Sequence, residues 1–159
     1  MFAPSLISGL VRLAMSSTRL PDRTYFILLS LGPLFWLAYY IYTHQPPLQL
    51  AWPLSAPLRF GLLVFIYPFL EEIVFRGLLQ EWLAKRFQQR LGVLSLANVL
   101  TSVVFAALHL VHQSPMWALG IFFPSLVFGF SKERYQSLWA PIILHSWYNL
   151  GFVWVFHPG

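Results

Sequence analysis

The chain is 159 residues long, 58% hydrophobic and only 9% charged, against about a quarter charged in soluble domains, which excludes an ordinary water-soluble globule and points to an integral membrane protein. The length suits a single compact domain over residues 1–159. There is no cysteine, which removes disulfides and thiol nucleophiles, and the +5 formal charge sits in short basic clusters beside apolar runs, a placement that fits membrane orientation and not nucleic acid.

In chain order, Phe2, Leu6, Leu10 and Leu13 recur at helical spacing, so residues 1–24 are read as an amphipathic helix lying on the membrane surface, with an unstructured N-terminus as the alternative. Arg12 interrupts the apolar run, which argues against a cleavable signal peptide. Tyr25–Tyr42 is an uncharged first span, and Pro46, Pro47, Pro53 and Pro57 make Thr43–Pro57 a loop. Phe60–Leu79 is the second span, and Pro68 inside it should free a backbone carbonyl one turn upstream and kink the helix. Gln80–Arg90 is polar and should continue that helix along the interface. Val93–His112, the short Pro115–Phe130 and Leu138–Phe156 complete the set. The expectation is an all-α membrane protein, a bundle of about five to six transmembrane helices around a polar cavity.

Arg12, Arg19 and Arg23 precede the first span; Lys85, Arg86 and Arg90 lie between the second and third; Lys132 and Arg134 lie between the fourth and fifth. All fall on one side, and Arg59 falls on the other. The positive-inside rule then puts the N-terminus in the cytoplasm and the C-terminus outside.

Polar groups inside the spans are costly, about 2.5–3.5 kcal/mol for a charge at a helix centre, so each needs a reason. Glu72 and Arg76 are four apart and face each other, whereas Glu71 is turned about 100° away and cannot share that partner equally. Phe105 and His109 in the third span, and His145 and Asn149 in the fifth, repeat the four-residue spacing. Taken singly, each has an ordinary reading: a structural Glu–Arg clamp, a hydrogen-bonding histidine, an interhelical asparagine. Taken together, a second carboxylate, two histidines and an amide on three spans supply a hydrolytic site. A carboxylate in a low-dielectric pocket serves as general base on water, histidine orients the water or protonates a leaving group, and Asn with His stabilises an oxyanion. Glu71, His109 and His145 are also ligand types for zinc or another divalent metal. His44 and His157 read as solvated, and His112 as a weak further ligand candidate.

The ordered set Glu71-Glu72-x-x-x-Arg76, Phe105-x-x-x-His109 and His145-x-x-x-Asn149, with "EEIVFRGLLQ", "VVFAALHL" and "LWAPIILHSWYN" around it, resembles the signature motifs of the CPBP family. That family comprises CAAX prenyl endopeptidases of the Ras-converting type and the Abi relatives linked to bacteriocin processing and self-immunity. The resemblance covers Tyr67–Asn149, with residues 67–149 as the motif-bearing core. It implies intramembrane peptide-bond hydrolysis of a membrane-tethered protein. Glu71 would activate water, His109 would hold that water, His145 and Asn149 would stabilise the oxyanion, and Glu72, Arg76 and Phe105 would support the site. It favours a glutamate mechanism with no cofactor over a metal-dependent one, in a multi-pass protein of a prokaryotic inner membrane. Family enzymes have more spans than this chain has room for, so it resembles a stripped core. The competing readings are a non-catalytic immunity or assembly partner that keeps the fold, and a proton-coupled carrier, disfavoured because no inverted repeat is visible.

Overall fold

The computed structural model describes residues 21–44 and 51–156. The proposed surface helix in residues 1–24 falls almost wholly outside the described residues, as does His157. The described chain is mostly helical, with one short hairpin: α1 (Arg23–Thr43), α2 (Trp52–Ser55), α3 (Pro57–Gly61), a π-helical segment π1 (Leu62–Ile66), α4 (Tyr67–Glu72), a second such segment π2 (Ile73–Leu79), α5 (Gln80–Ala84), β1 (Arg90–Leu91), β2 (Leu94–Ser95), α6 (Leu96–His109), α7 (Pro115–Tyr135) and α8 (Trp139–Phe156). It divides into two compact units, one of residues 21–70 with 143–156 and the other of residues 71–142.

In the first unit, Asp22 caps α1 by accepting from the Tyr25 N–H at 3.1 Å, and His44 ends it in the left-handed region at φ 50°. Its Arg23–Tyr42 stretch, with mean hydropathy 1.5, is long and apolar enough to cross a membrane. Phe26, Ile27, Leu34 and Leu37 point outward from it, a surface that lipid accommodates and water does not. The other face meets α8 at close range. Gly32 lies under the Tyr148 ring and Gly151 under Trp36, so each helix offers a glycine to the other's aromatic side chain.

Two helix-interior prolines explain the bonds that α8 makes. Pro33 has no N–H, which deprives the Leu29 carbonyl of its helical donor, and Trp147 Nε1 donates to that oxygen at 3.0 Å. Pro68 acts similarly through π1. The Tyr67 N–H donates to Leu62 O, five residues back, so Leu63 O would look to residue 68, which is the proline. Asn149 Nδ2 donates to Leu63 O at 3.0 Å instead. The expected freed carbonyl is therefore present, and the helix meets Pro68 by slipping into π register. Removing the amide with Asn149→Ala is expected to cost about 1–3 kcal/mol, the penalty of an orphaned carbonyl. In a Pro68→Ala background, where residue 68 regains an N–H, the same change should cost less than half as much. Thermal melting of the four proteins in micelles checks this, and strictly additive losses would refute the coupling.

The segment expected to be a loop, Thr43–Pro57, instead contains α2, with Pro53 in its first turn and Pro57 opening α3, where a missing N–H costs nothing. Trp52 packs with Val64 and Val153, and its Nε1 donates to Trp154 O at 3.1 Å.

In the second unit, the expected helix through Gln80–Arg90 ends at Ala84. The chain then forms the hairpin β1–β2, pairing Arg90 with Ser95, around Gly92 at φ +64°, a conformation glycine adopts without strain. Ser95 caps α6 by accepting from the Asn98 N–H at 3.0 Å. As a result α6 covers 14 residues, fewer than the expected span Val93–His112. Ser114 caps α7, which runs five residues past the expected limit at Phe130 to Tyr135. Lys132 and Arg134 sit in its last turn, where positive charge complements the helix dipole.

Candidate active site

Within residues 71–142 the predicted groups form a connected chain of contacts. Arg76 Nη1 lies 3.2 Å from Glu72 Oε1, and both side chains are fully buried. The guanidinium stands over the Phe105 ring, 4.9 Å from its centroid, close enough for a cation–π interaction. Phe75 meets Phe105 edge-on at 4.8 Å, and Phe105 stacks against the His109 imidazole at 4.7 Å. The four-residue spacings of Glu72–Arg76 and Phe105–His109 thus become real contacts. Arg76 and Gly77 lie in π2, a winding frequent at functional sites.

The two adjacent glutamates stand in different surroundings. Glu72 is buried against Arg76, whereas Glu71 is half-buried. His109 is half-buried and its Nδ1 lies 2.8 Å from Phe105 O. A carbonyl oxygen only accepts, so Nδ1 carries a proton, and in the neutral imidazole Nε2 is then the nitrogen with the lone pair.

His145 and Asn149 belong to the other unit, one turn apart on α8. His145 is buried, and Asn149 gives one amide hydrogen to Leu63 O; its amide nitrogen carries a second. His44 and His112 are exposed, as read from the sequence for His44. Among the described residues no three of His, Asp and Glu are grouped closely enough to hold a metal ion.

Sequence reasoning missed the residues of α7 and α5 that hold this cluster. Arg76 Nη2 donates to Ser125 O at 2.9 Å and to Ser125 Oγ at 2.7 Å, and the guanidinium also stands 5.5 Å from the Phe128 ring. One turn on, Gln80 Nε2 donates to Gly129 O at 3.2 Å and to Glu133 Oε1 at 2.7 Å. Arg76 and Gln80 are four apart, as are Ser125, Gly129 and Glu133, so successive turns of the two helices are stitched together. The four-residue spacing from Arg76 to Gln80 was the available signal; nothing local marks Ser125 in an apolar run. Beyond these rungs lies an open polar cavity of about 310 Å³, lined by Gln80, Glu81, Lys132 and Glu133 among others and by none of the residues predicted for chemistry. Lys132 and Glu81 are ion-paired across it.

A family model described as type II CAAX prenyl endopeptidase Rce1-like matches residues 52–151. No curated protein and no solved structure matches the chain.

Proposed function

Since the chain belongs to the Rce1-like type II CAAX prenyl endopeptidase family, a family of proteases, we propose that it is a multi-pass intramembrane endopeptidase that cleaves a membrane-tethered protein near its C-terminus through a glutamate-activated water. The observation that carries this reading is the unlike setting of two neighbouring carboxylates: Glu72 is committed to Arg76 in a fully buried pair, while Glu71 is half-buried beside it. Adjacent acids in different environments mark divided roles, one structural and one chemical.

In this mechanism Glu71 takes a proton from water as the water oxygen attacks the scissile carbonyl. The Nε2 lone pair of His109 accepts the water's other hydrogen and aims it. The oxyanion of the tetrahedral intermediate is stabilised by His145 and by the second amide hydrogen of Asn149. Collapse breaks the C–N bond, and the proton held by Glu71 passes to the leaving amine. The N-terminus is assigned to the cytoplasm and the C-terminus to the outside of a prokaryotic inner membrane. The alternative is a zinc-type metal with Glu71, His109 and His145 as ligands, a set that is not grouped for it among the described residues.

The test compares wild type with Glu71→Gln on an internally quenched farnesylated CAAX-type peptide in proteoliposomes, with and without chelator. Loss of a general base is expected to slow cleavage by about 10²–10⁴-fold, with wild-type activity surviving chelation. Equal rates for the two proteins would remove Glu71 from the chemistry and favour a non-catalytic immunity or assembly partner. Activity abolished by chelator and restored by zinc would establish the metal-dependent reading.

A further inference from the structure

We infer that Ser125, on a helix that carries none of the motif residues, is a positioning residue for hydrolysis, fixing the Arg76 guanidinium against the Glu72 carboxylate. The inference rests on the protease reading above. A guanidinium is a rigid plane of donors, so two acceptors on one nitrogen hold its orientation, with the carboxylate at ion-pair distance from the other. Here Nη2 meets both oxygens of Ser125, at 2.9 Å and 2.7 Å, while Nη1 meets Glu72 at 3.2 Å. Phe105 and Phe128 stand at 4.9 Å and 5.5 Å from the guanidinium carbon. Ser125 and Phe128 are three apart and share one face of α7. Arg76, Glu72 and Ser125 are fully shielded from solvent, so the site has little water to supply a substitute acceptor.

The functional consequence runs through charge. Glu71 precedes Arg76 by five residues on one uninterrupted helical run, α4 into π2, so a shift of the guanidinium would change the potential at the proposed base with no change in the substrate's own contacts. Loss of Ser125 Oγ should therefore lower kcat and leave KM alone, the pattern of an interaction that matters in the transition state. The serine carbonyl comes from the backbone and persists in any variant. The hydroxyl is the part the sequence chooses.

The experiment uses full-length protein in proteoliposomes and the same farnesylated quenched peptide. Ser125→Ala is expected to reduce kcat by about ten- to a hundredfold, the range for a hydrogen bond to a charged group, with KM changed by less than about twofold. Ser125→Thr, which keeps the hydroxyl, should recover most of the rate, and melting in micelles corrects each rate for the folded fraction. In an Arg76→Lys background the Ser125→Ala change should cost far less, because an ammonium has no guanidinium plane for the serine to orient. Three results would each overturn the inference: wild-type kcat in Ser125→Ala, a rate loss that only tracks lost folded protein, or a threonine variant no better than alanine. Glu71→Gln is run alongside. If it is inactive while Ser125→Ala is unaffected, only the role of Ser125 falls; if it cleaves normally, the protease reading falls and takes this inference with it.

Discussion

Arg76→Met is expected to destabilise the protein by about 3–5 kcal/mol, because it leaves the Glu72 carboxylate buried without its countercharge. Glu72 and Arg76 are both fully shielded, and the loss also strips Ser125 of its donor. The double variant Glu72→Leu/Arg76→Met should regain most of that stability. Replacing a buried ion pair by apolar groups of similar size removes the desolvation cost of both charges together. Melting in micelles measures both proteins, and a melting temperature for Arg76→Met equal to wild type would contradict the argument. The pair also separates clamp from chemistry. Glu71 and His109 are untouched in the double variant, so a structural role for the pair predicts that the refolded protein still cleaves the farnesylated peptide, whereas a folded but inactive protein would show that Arg76 also acts on the proposed base.

Gly129→Ala should cost about 2–4 kcal/mol, against the sign of helix propensity. In the interior of α7 the exchange of Gly for Ala would by itself favour the helix by about 1 kcal/mol. A Cβ at this position, however, would come within 2.5 Å of Asn98 Cγ and 3.0 Å of its Nδ2. Asn98 is fully buried and tied at both ends, with Nδ2 donating to Leu126 O at 3.0 Å and Oδ1 accepting from Ser102 Oγ at 3.3 Å. It cannot swing aside without orphaning a buried carbonyl, a loss of about 1–3 kcal/mol added to the strain of overpacking. In an Asn98→Ala background the new methyl has room, and Gly129→Ala should become neutral or stabilising. Urea or thermal unfolding of the four-member set gives the coupling. Additive effects would mean that α6 and α7 relax apart there more easily than their hydrogen bonds suggest.

The contrast between these two sites shows what could be read locally. Glu72–Arg76 and Phe105–His109 follow from the period of a helix, so counting residues was enough to predict that the side chains meet. The role of Gly129 was invisible, because its constraint is an asparagine about thirty positions away in the chain. The same division applies to the backbone. The Pro68 effect was legible, since a missing N–H is a covalent fact, but which donor would answer the carbonyl was not. Asn149 does so, and Trp147 answers Pro33 in the same way. Element limits failed where a local signal was read too simply. The polar run after Gln80 breaks at Ala84 because Arg90–Ser95 pairs into a hairpin, and Thr43–Pro57 holds α2 because proline is welcome in a first helical turn.

By itself, then, the sequence determined a helical, apolar chain of this protease family, the order of its motif residues, and which of them share a helix face. Composition, helical period and proline chemistry act within a few residues and need no partner. The tertiary structure alone decided that Ser125 and Phe128 would hold Arg76, that Gln80 would stitch the next turn, and that α8 would satisfy carbonyls freed on other helices. Those choices follow from a nonlocal requirement: a buried donor or acceptor must find a partner, and only the packed fold brings one within hydrogen-bonding distance.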